Sequence, residues 1–258
     1  MTFTISKVLL PIVTLMTMIH TTACSRDNAD TTALRPVVVA HRGGAALGME
    51  NSLSCIEKGI AAGADMIEVD VHMTADSQLV VCHDVTVNRT TDGRGRIETM
   101  TLAEVRRLHL LRDDGSVSDE TLPTLAEVLQ SVKGRCGLLL EIKKKRHQYE
   151  GIEKKVAEML VQYEMVEEVA VQSFNGRVLE ELHRLLPALR LEKLSFLPPQ
   201  HPEKCQYVAS YNVWYLSVGR HAVKRVHDAG KEMKVWTVDK TCLPVDGVIT
   251  NNPTLFKK

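Results

Sequence analysis

The chain has 258 residues, of which 44% are hydrophobic, 25% are charged and only 4% are aromatic, a composition typical of one globular domain. Lysine plus arginine equals aspartate plus glutamate at 32 each, so no overall positive field directs the protein to nucleic acid. The scarcity of aromatic residues also argues against a base-stacking nucleic-acid platform, and an anionic substrate would have to be held by local charges.

Residues 1–24 have the order of an export signal. One lysine precedes an apolar stretch, 8–19, which is followed by small residues ending at Cys24. The stretch is too short to span a bilayer comfortably. The Thr-Thr-Ala-Cys ending resembles a bacterial lipoprotein signal in which Cys24 becomes the lipidated first residue, although Thr21 stands where leucine is usual. We expect an exported protein of the cell envelope, lipid-anchored through Cys24 or, if the signal directs plain secretion, periplasmic.

Residues 25–36 are polar and unpatterned, which predicts a tether. No linker or repeat follows, so we expect one domain over 37–258. The spacing of the six cysteines indicates neither a zinc site nor a particular disulfide.

Short apolar runs alternate with longer amphipathic runs from residue 37 onward. The runs predicted as strands are 37–41, 65–72, 79–83, 137–143, 168–173, 190–197, 233–238 and 247–250, with 207–217 as a candidate ninth. The runs predicted as helices are 51–62, 101–110, 123–132, 150–165, 175–186 and 219–229. This alternation predicts parallel strands joined by helices, and about eight strands in such a length predict an α/β fold of the (β/α)8 TIM-barrel type.

Polar residues cluster where four successive predicted strands end, which is the catalytic face of such a barrel. They are His41, Arg42, Glu68, Asp70, His83, Glu141 and Lys143. Each has an ordinary structural explanation when taken alone. Carboxylates inside otherwise apolar strands, however, need a cation or a hydrogen-bonded partner. Three neighbouring carboxylates therefore predict one divalent cation, and oxygen ligands suit Ca²⁺ or Mg²⁺ better than zinc.

Two histidines beside an arginine, a lysine and a hard cation suit the cleavage of a phosphodiester. The basic side chains can neutralise the non-bridging oxygens. One imidazole can remove a proton from the attacking oxygen while the other protonates the leaving alkoxide near neutral pH. The joint pattern predicts metal-assisted phosphodiester cleavage.

Several sequence blocks occur in an order that resembles the glycerophosphodiester phosphodiesterase family. They are AHRGG…EN, IEVDVHMTADSQLVVCHDVTVNRTTDGRG, LPTLAEVL, LLLEIK, VQSFN and VWTV…DGVITNNP, and they extend from about residue 37 to the end. The resemblance implies a phosphodiesterase barrel that splits glycerophosphodiesters into glycerol 3-phosphate and an alcohol. It further implies attack by a neighbouring glycerol hydroxyl, a cyclic phosphate and its opening by water.

The resemblance also implies roles for individual residues. His41 and His83 match the acid/base pair, with His41 as base and His83 as acid or the reverse. The matches to metal ligands are Glu68, Asp70 and Glu141, and the matches to substrate- and phosphate-binding residues are Arg42, Lys143 and Glu50. Trp236, which lies in the VWTV block of the predicted strand 233–238, is a further candidate for substrate contact by its position alone. Glu50 would contact the metal or the glycerol hydroxyls, whereas Trp236 would pack against substrate or belong to the core.

Some features depart from the family pattern or stay open. Only a short segment separates VWTV from DGVIT, which leaves no room for a helix in the last repeat and puts the closure of the barrel in question. Asn251 stands where aspartate is common, and Cys82 where histidine is frequent. The loop 89–95 either braces His83 or is simply a turn, and His72 and His109 are expected to be structural.

Two other functions remain compatible with the sequence. One is a sphingomyelinase D- or lysophospholipase D-like activity on the same barrel, for which a lipid tail would require an apolar loop beside the site; the sequence does not identify one. The other is a non-catalytic surface lipoprotein that binds a phosphorylated ligand, which the retention of both histidines and all three carboxylates argues against.

Overall fold

Eight parallel strands close into a barrel, which confirms the predicted TIM-barrel fold. The computed structural model describes residues 35–145 and 148–256. In chain order its strands are β1 (Val37–Ala40), β2 (Met66–Met73), β3 (Leu79–Val81), β4 (His109–Leu111), β5 (Val117–Thr121), β6 (Gly137–Ile142), β7 (Val169–Ser173), β8 (Arg190–Ser195), β9 (Val208–Trp214), β10 (Glu232–Trp236) and β11 (Gly247–Thr250). The barrel contains all of these except β3, β4 and β5, and it closes because β1 pairs in parallel with both β11 and β2.

Helices cover the outside of the barrel. They are α1 (Leu53–Ala61), α2 (Leu102–Val105), α3 (Leu125–Val132), α4 (Ile152–Gln162), α5 (Gly176–Leu185) and α6 (Arg220–Asp228). Local sequence fixes several starts, since Ser52 and Asn175 accept backbone N–H groups and Thr124 forms a reciprocal capping box with Glu127. Five of the six predicted helices are present, with ends within three residues of the predicted ones.

The segment 79–83 is not a barrel strand, contrary to the prediction. β3 pairs antiparallel with the end of β2, so the two form a hairpin. The reason lies in the connection: five residues, 74–78, join them, whereas a parallel crossover needs about a dozen residues or more. The eighth barrel strand is instead β9, within the candidate stretch 207–217. His83 therefore follows a hairpin strand and does not end a barrel strand.

The predicted helix over 101–110 is also largely wrong. Helix α2 occupies only its first half, after a Thr101–Glu104 capping box, and β4 begins at His109. β4 pairs antiparallel with β5 as a separate two-stranded sheet. β4 and β5 lie in the long segment between β3 and α3. From His109 onward the backbone pairs across this small sheet and does not continue the helix.

The last repeat is short, as the sequence predicted, and the barrel nevertheless closes. Residues 237–246 join β10 to β11 without a helix, and β11 pairs in parallel on both sides. A second connection, 196–207, also lacks an α-helix and contains only a 3-10 turn at Pro202–Lys204. Neither of these two connections contributes an α-helix to the outer layer of the barrel.

Side chains alternate between two environments along each barrel strand, as the pleat requires. Those facing outward, such as Val69, Leu140 and Val171, join the main core with the helices. Those facing inward form a small apolar layer of Val39, Leu139, Ala170 and Ile249, packed with Met66 and Trp236. Buried polar groups, which include Glu68, Gln172, Glu192, Asn212 and Lys234, occupy further positions on the strands.

Within residues 35–145 and 148–256, no helix combines the length and the apolar character that crossing a bilayer requires.

Candidate active site

The chain makes a tight turn directly after β1, at the carboxyl-terminal rim of the barrel. His41–Gly43 form one 3-10 turn, in which Arg42 and Gly43 have φ of 52° and 84°. A left-handed conformation costs a non-glycine residue such as Arg42 about 1 kcal/mol or more. It is held by the backbone N–H of Arg42, which donates to Glu68 Oε2 at 2.8 Å. Gly43 is required because a Cβ there would lie 3.0 Å from the backbone nitrogen of Ile56 in α1.

Three buried carboxylates form the centre of the site. One oxygen from each of Glu68, Asp70 and Glu141 lies within 4.8 Å of the others. Lys143 Nζ lies 2.8 Å from Glu141 Oε1 and 3.0 Å from Asp70 Oδ1. Asp70 Oδ1 thus has an ion-pair contact with Lys143 but, like Arg42 Nε, no hydrogen-bond partner among the described residues. Asn51 holds the other oxygen of Asp70, at 2.9 Å.

The carboxylates carry more negative charge than their surroundings compensate. Burial, together with the charges of Asp70 and Glu141, raises the pKa of Glu68 well above its ordinary value. Burial also raises the pKa of Glu141 to about 7, against the opposing effect of Lys143. The pKa of Asp70 is lowered despite its burial, because Lys143, His83 and Arg42 lie close to it. An orphaned oxygen in an all-carboxylate cluster fits a hard divalent cation.

His41 is oriented by Asn251, which lies after β11. Its Nδ1 is 2.6 Å from Asn251 Oδ1, and its Nε2 is 4.0 Å from Glu68 Oε2. An amide oxygen accepts a hydrogen bond from Nδ1–H, so the matching neutral tautomer has its lone pair on Nε2. Burial, assisted by the charge of Arg42, lowers the pKa of His41 to about 4. His41 is therefore a neutral imidazole near pH 7, able to accept a proton.

His83 has a different partner, a carboxylate. Its Nδ1 lies 2.7 Å from Asp84 Oδ1, and Arg89 holds the other oxygen of Asp84 at 2.8 Å. Burial lowers the pKa of His83 from its ordinary value, while Asp70 and Asp84 act in the opposite direction. The imidazole of His72 lies 3.2 Å from the carbonyl oxygen of His83 through Nε2 and 2.8 Å from the Tyr149 hydroxyl through Nδ1.

Glu50 is held by two arginines. Arg89 donates to both of its oxygens at 2.7 and 2.9 Å, and Arg42 approaches them at 3.1 and 3.2 Å. Glu50 is not a member of the three-carboxylate cluster. Arg89, in the loop 89–95, thus links the Asp84 carboxylate beside His83 to Glu50, which favours the bracing interpretation of this loop over a mere turn.

The predicted residues surround one cavity of about 210 Å³. Those that line it are His41, Arg42, Glu68, His83, Glu141, Lys143 and Trp236. Asp70 lies in the carboxylate cluster behind them, and Glu50 lies beside the cavity through its contact with Arg42. Trp236 faces the cavity, and its Nε1 donates to the Asn212 carbonyl at 3.1 Å. The structure thus brings all nine predicted residues to one place, while their chemical roles stay predictions.

Sequence reasoning missed several residues of the site, including four that line the cavity or contact His41. Gln172, Phe174 and Phe196 line the cavity, and Asn251 binds His41. Gln172 and Phe174 lie in the VQSFN block, a signal that was available but was given no residue-level role. Asn251 was noted only as a departure from the family pattern. Phe196 gives no signal, because an apolar residue within a predicted strand is indistinguishable in sequence from a core residue.

Replacing Asn251 by alanine is expected to lower kcat by about 10-fold without unfolding the protein. The side chain fixes the ring orientation and the tautomer of His41, and a misplaced reacting group loses much of its effect. The measurement is the steady-state rate at several pH values, together with thermal unfolding. Asn251→Asp keeps an oxygen acceptor and is expected to restore part of the rate, whereas an equal loss in both variants would contradict an orienting role.

The fold and the site together define the class of protein. It is a TIM-barrel enzyme, in which two histidines and two basic side chains surround a buried acidic cluster at the catalytic rim. Comparison with known proteins identifies the family to which this enzyme belongs. The model of the glycerophosphoryl diester phosphodiesterase family matches residues 41–255. The chain belongs to this family, as its sequence motifs predicted.

Individual relatives are similar to this chain along nearly the whole barrel. The chain is 32% identical to the glycerophosphodiester phosphodiesterase of Caldanaerobacter subterraneus subsp. tengcongensis over 232 residues, which are 85% of this chain and 96% of that protein. A solved structure of a phosphodiesterase from Oleispira antarctica, in complex with the product sn-glycerol-3-phosphate, has a TM-score of 0.75 and 25% identity, covering 86% of this chain and 95% of that one. A glycerophosphodiester phosphodiesterase from Parabacteroides distasonis has a TM-score of 0.71 and 26% identity, covering 86% and 94%.

Proposed function

We propose that the protein hydrolyses glycerophosphodiesters to glycerol 3-phosphate and an alcohol. The observation that carries the proposal is the shared cavity: both histidines, Arg42 and Lys143 line it beside the carboxylate cluster. The family match and the Caldanaerobacter relative support the same reaction. The Oleispira phosphodiesterase, which is similar along 86% of this chain, binds the corresponding product.

The two histidines have different roles in proton transfer. His41, neutral beside the Asn251 amide, removes the proton from a glycerol hydroxyl that attacks phosphorus. His83, which the Asp84 carboxylate orients through Nδ1, protonates the departing alcohol oxygen. Attack by a hydroxyl of the same molecule removes much of the entropic barrier and gives a cyclic phosphate. With the roles of the histidines reversed, water then opens the ring to glycerol 3-phosphate.

The carboxylate cluster supplies the site for one divalent cation, Ca²⁺ or Mg²⁺. Glu68, Asp70 and Glu141 would hold it, because their oxygens converge and one Asp70 oxygen lacks a hydrogen-bond partner among the described residues. Such a cation polarises a phosphoryl oxygen and offsets its charge. Arg42 and Lys143, whose side chains line the same cavity, neutralise the remaining non-bridging oxygens.

A turnover screen tests the proposal. Purified protein is incubated with glycerophosphocholine, glycerophosphoethanolamine and glycerophosphoglycerol, with chelator and with Ca²⁺ or Mg²⁺ added back, and glycerol 3-phosphate is measured. We expect release that chelation abolishes and one of the cations restores. Binding of these compounds without any turnover, in the presence of either cation, would instead support a non-catalytic phospho-ligand-binding protein.

We further propose that residues 1–24 carry an export signal with a lipobox-like end, that Cys24 becomes the lipidated first residue of the mature protein, and that 25–36 tether the domain 37–258 to the envelope membrane. Residues 1–34 lie outside the described residues, so the proposal rests on the sequence.

Cys24→Ser is expected to abolish the anchor without changing turnover. The serine hydroxyl cannot form the thioether to the lipid, so the protein should move from the membrane fraction to the soluble envelope fraction. Mass spectrometry of the amino terminus and fractionation of the cells measure this. An unmodified amino terminus in the wild type would leave plain secretion as the explanation.

A further inference from the structure

An exposed apolar surface lies at the mouth of the active-site cavity. It consists of five side chains, here called the apolar rim: Phe174, Phe196, Leu197, Trp214 and Leu216, which are 40–75% exposed. Only eight large apolar side chains of the described residues are exposed to this degree, and five of them belong to the rim. Such clustering is unlike scattered surface residues and marks a site of contact.

The rim is an ordered surface built from three barrel strands. The Phe174 ring, after β7, stacks on Phe196, after β8, with centroids 5.0 Å apart. Both rings contact Trp236 edge-on, at 5.9 and 5.5 Å. The Ser217 hydroxyl donates toward the carbonyl oxygens of Phe196 at 2.6 Å and Trp214 at 2.8 Å, which joins the segments after β8 and β9. The connection 196–207, which begins with Phe196 and Leu197, contains no α-helix.

The rim continues into the cavity that holds the histidines. Phe174, Phe196 and Trp236 form one wall of that cavity. A second cavity, of about 250 Å³, shares His83, Lys143 and Phe174 with the first, and its lining includes the apolar side chains of Val85 and Ile142. A phosphodiester between the histidines would thus have apolar surface directly beside it, and in the chain Leu197 follows Phe196 while Leu216 precedes Ser217, which binds the Phe196 carbonyl.

We propose that the substrates are amphipathic glycerophosphodiesters, in which a hydrocarbon chain carried by the glycerol group lies along the apolar rim. This inference rests on the proposed function. The chemistry is unchanged: the phosphorus–oxygen bond to the leaving alcohol breaks, one water is consumed, and the alcohol leaves with a proton. The rim adds binding for the chain, because each methylene removed from water favours association.

The position of the rim argues for a substrate chain rather than a bilayer surface. Phe174 and Phe196 are at once exposed and part of the cavity wall, so the apolar surface begins where the phosphate would lie. Lys193, the cation nearest to these residues along β8, donates to the carbonyl oxygens of Phe174 and Leu194, at 2.7 and 3.0 Å. Its ammonium group is therefore engaged by backbone oxygens of the rim segments.

A chain-length series tests the inference. The exported protein with Cys24→Ser, and therefore without lipid, is assayed with glycerophosphocholine and with 1-acyl-lysophosphatidylcholines of four to eight carbons, below their micelle concentrations. We expect KM to fall about twofold per methylene, with a smaller change in kcat. Leu197→Ser and Leu216→Ser should flatten this dependence while leaving kcat/KM for glycerophosphocholine within about twofold. Val161→Ser, which removes an exposed apolar side chain of α4, is the matched control.

The possible results separate the inference from the function on which it rests. Turnover of glycerophosphocholine with a KM independent of acyl length would overturn the inference and leave the proposed function standing. No turnover of any of these substrates would overturn both. If KM is independent of acyl length but binding to phosphatidylcholine vesicles falls in Leu197→Ser and Leu216→Ser, the rim contacts a bilayer and the proposed substrate class is wrong.

Discussion

Replacing His41 or His83 by alanine is expected to lower kcat/KM for glycerophosphodiester hydrolysis by about 100- to 10,000-fold, the usual contribution of a positioned general acid or base. Each imidazole lines the cavity and has a partner that orients it, Asn251 for His41 and Asp84 for His83. The double variant should lose little more than the worse single one, because groups that act in one proton-transfer sequence are not additive. Initial rates of glycerol 3-phosphate release measure these effects.

The control for both variants is His221→Ala, which removes an exposed histidine on α6. Its turnover and its free energy of unfolding should stay close to those of the wild type. The two active-site variants should also unfold near the wild-type temperature, because their imidazoles are partly exposed at the rim. Turnover that is unchanged in either active-site variant would mean that this histidine takes no part in the chemistry.

The fold was predictable from the sequence because the barrel strands carry a periodic signal. Buried strands such as 66–73 and 137–142 appear as apolar runs, and capping residues mark the helix starts. The exchange of β3 for β9 in the barrel was not predicted, because an apolar run carries no information about its pairing partner. The length of the connection did carry that information: the short distance from β2 to β3 excludes a parallel crossover.

The residues of the site could be predicted from the sequence where a charged residue interrupts an apolar strand. Residues without such a local signal could not. Glu68, Asp70 and Glu141 stand out in their runs because a buried carboxylate needs compensation. Asn251 and Gln172 have ordinary neighbours in sequence, and their importance comes from contacts across 210 and 104 residues, to His41 and Glu68. Such contacts exist only after the barrel closes, so no local pattern predicts them.

A buried polar network supports the carboxylate cluster from within the barrel. Lys234 Nζ lies 2.6 Å from Glu192 Oε1, and the Asn212 amide donates to both Glu192 and Gln172 at 2.8 Å. Gln172 in turn donates to Glu68 Oε1 at 3.4 Å. These side chains come from strands β10, β8, β9, β7 and β2. Hydrogen bonds therefore connect a buried ion pair to the cluster and orient Glu68 toward its neighbours.

Replacing Glu68 by glutamine is expected to stabilise the cation-free protein and to remove its response to Ca²⁺ or Mg²⁺. Burial and the neighbouring Asp70 and Glu141 disfavour a charged Glu68, so a neutral amide of the same shape relieves the repulsion. In the wild type, a cation at 100 times its Kd should stabilise the fold by about 2.7 kcal/mol. For a domain of this size that corresponds to a rise in Tm of roughly 5–10 °C. The variant should show almost none of this rise.

Thermal unfolding with chelator and then with increasing cation measures both effects, and turnover is followed in parallel. Glu203→Gln, which neutralises an exposed carboxylate whose side chain is 58% accessible, is the matched control and should keep the full cation response. A higher Tm without cation, no gain with cation and lost turnover would together show that the cluster gives up stability to create a binding site. Full cation stabilisation in the Glu68 variant would place the cation elsewhere, because a site that has lost one of three carboxylates cannot bind a hard cation with undiminished affinity.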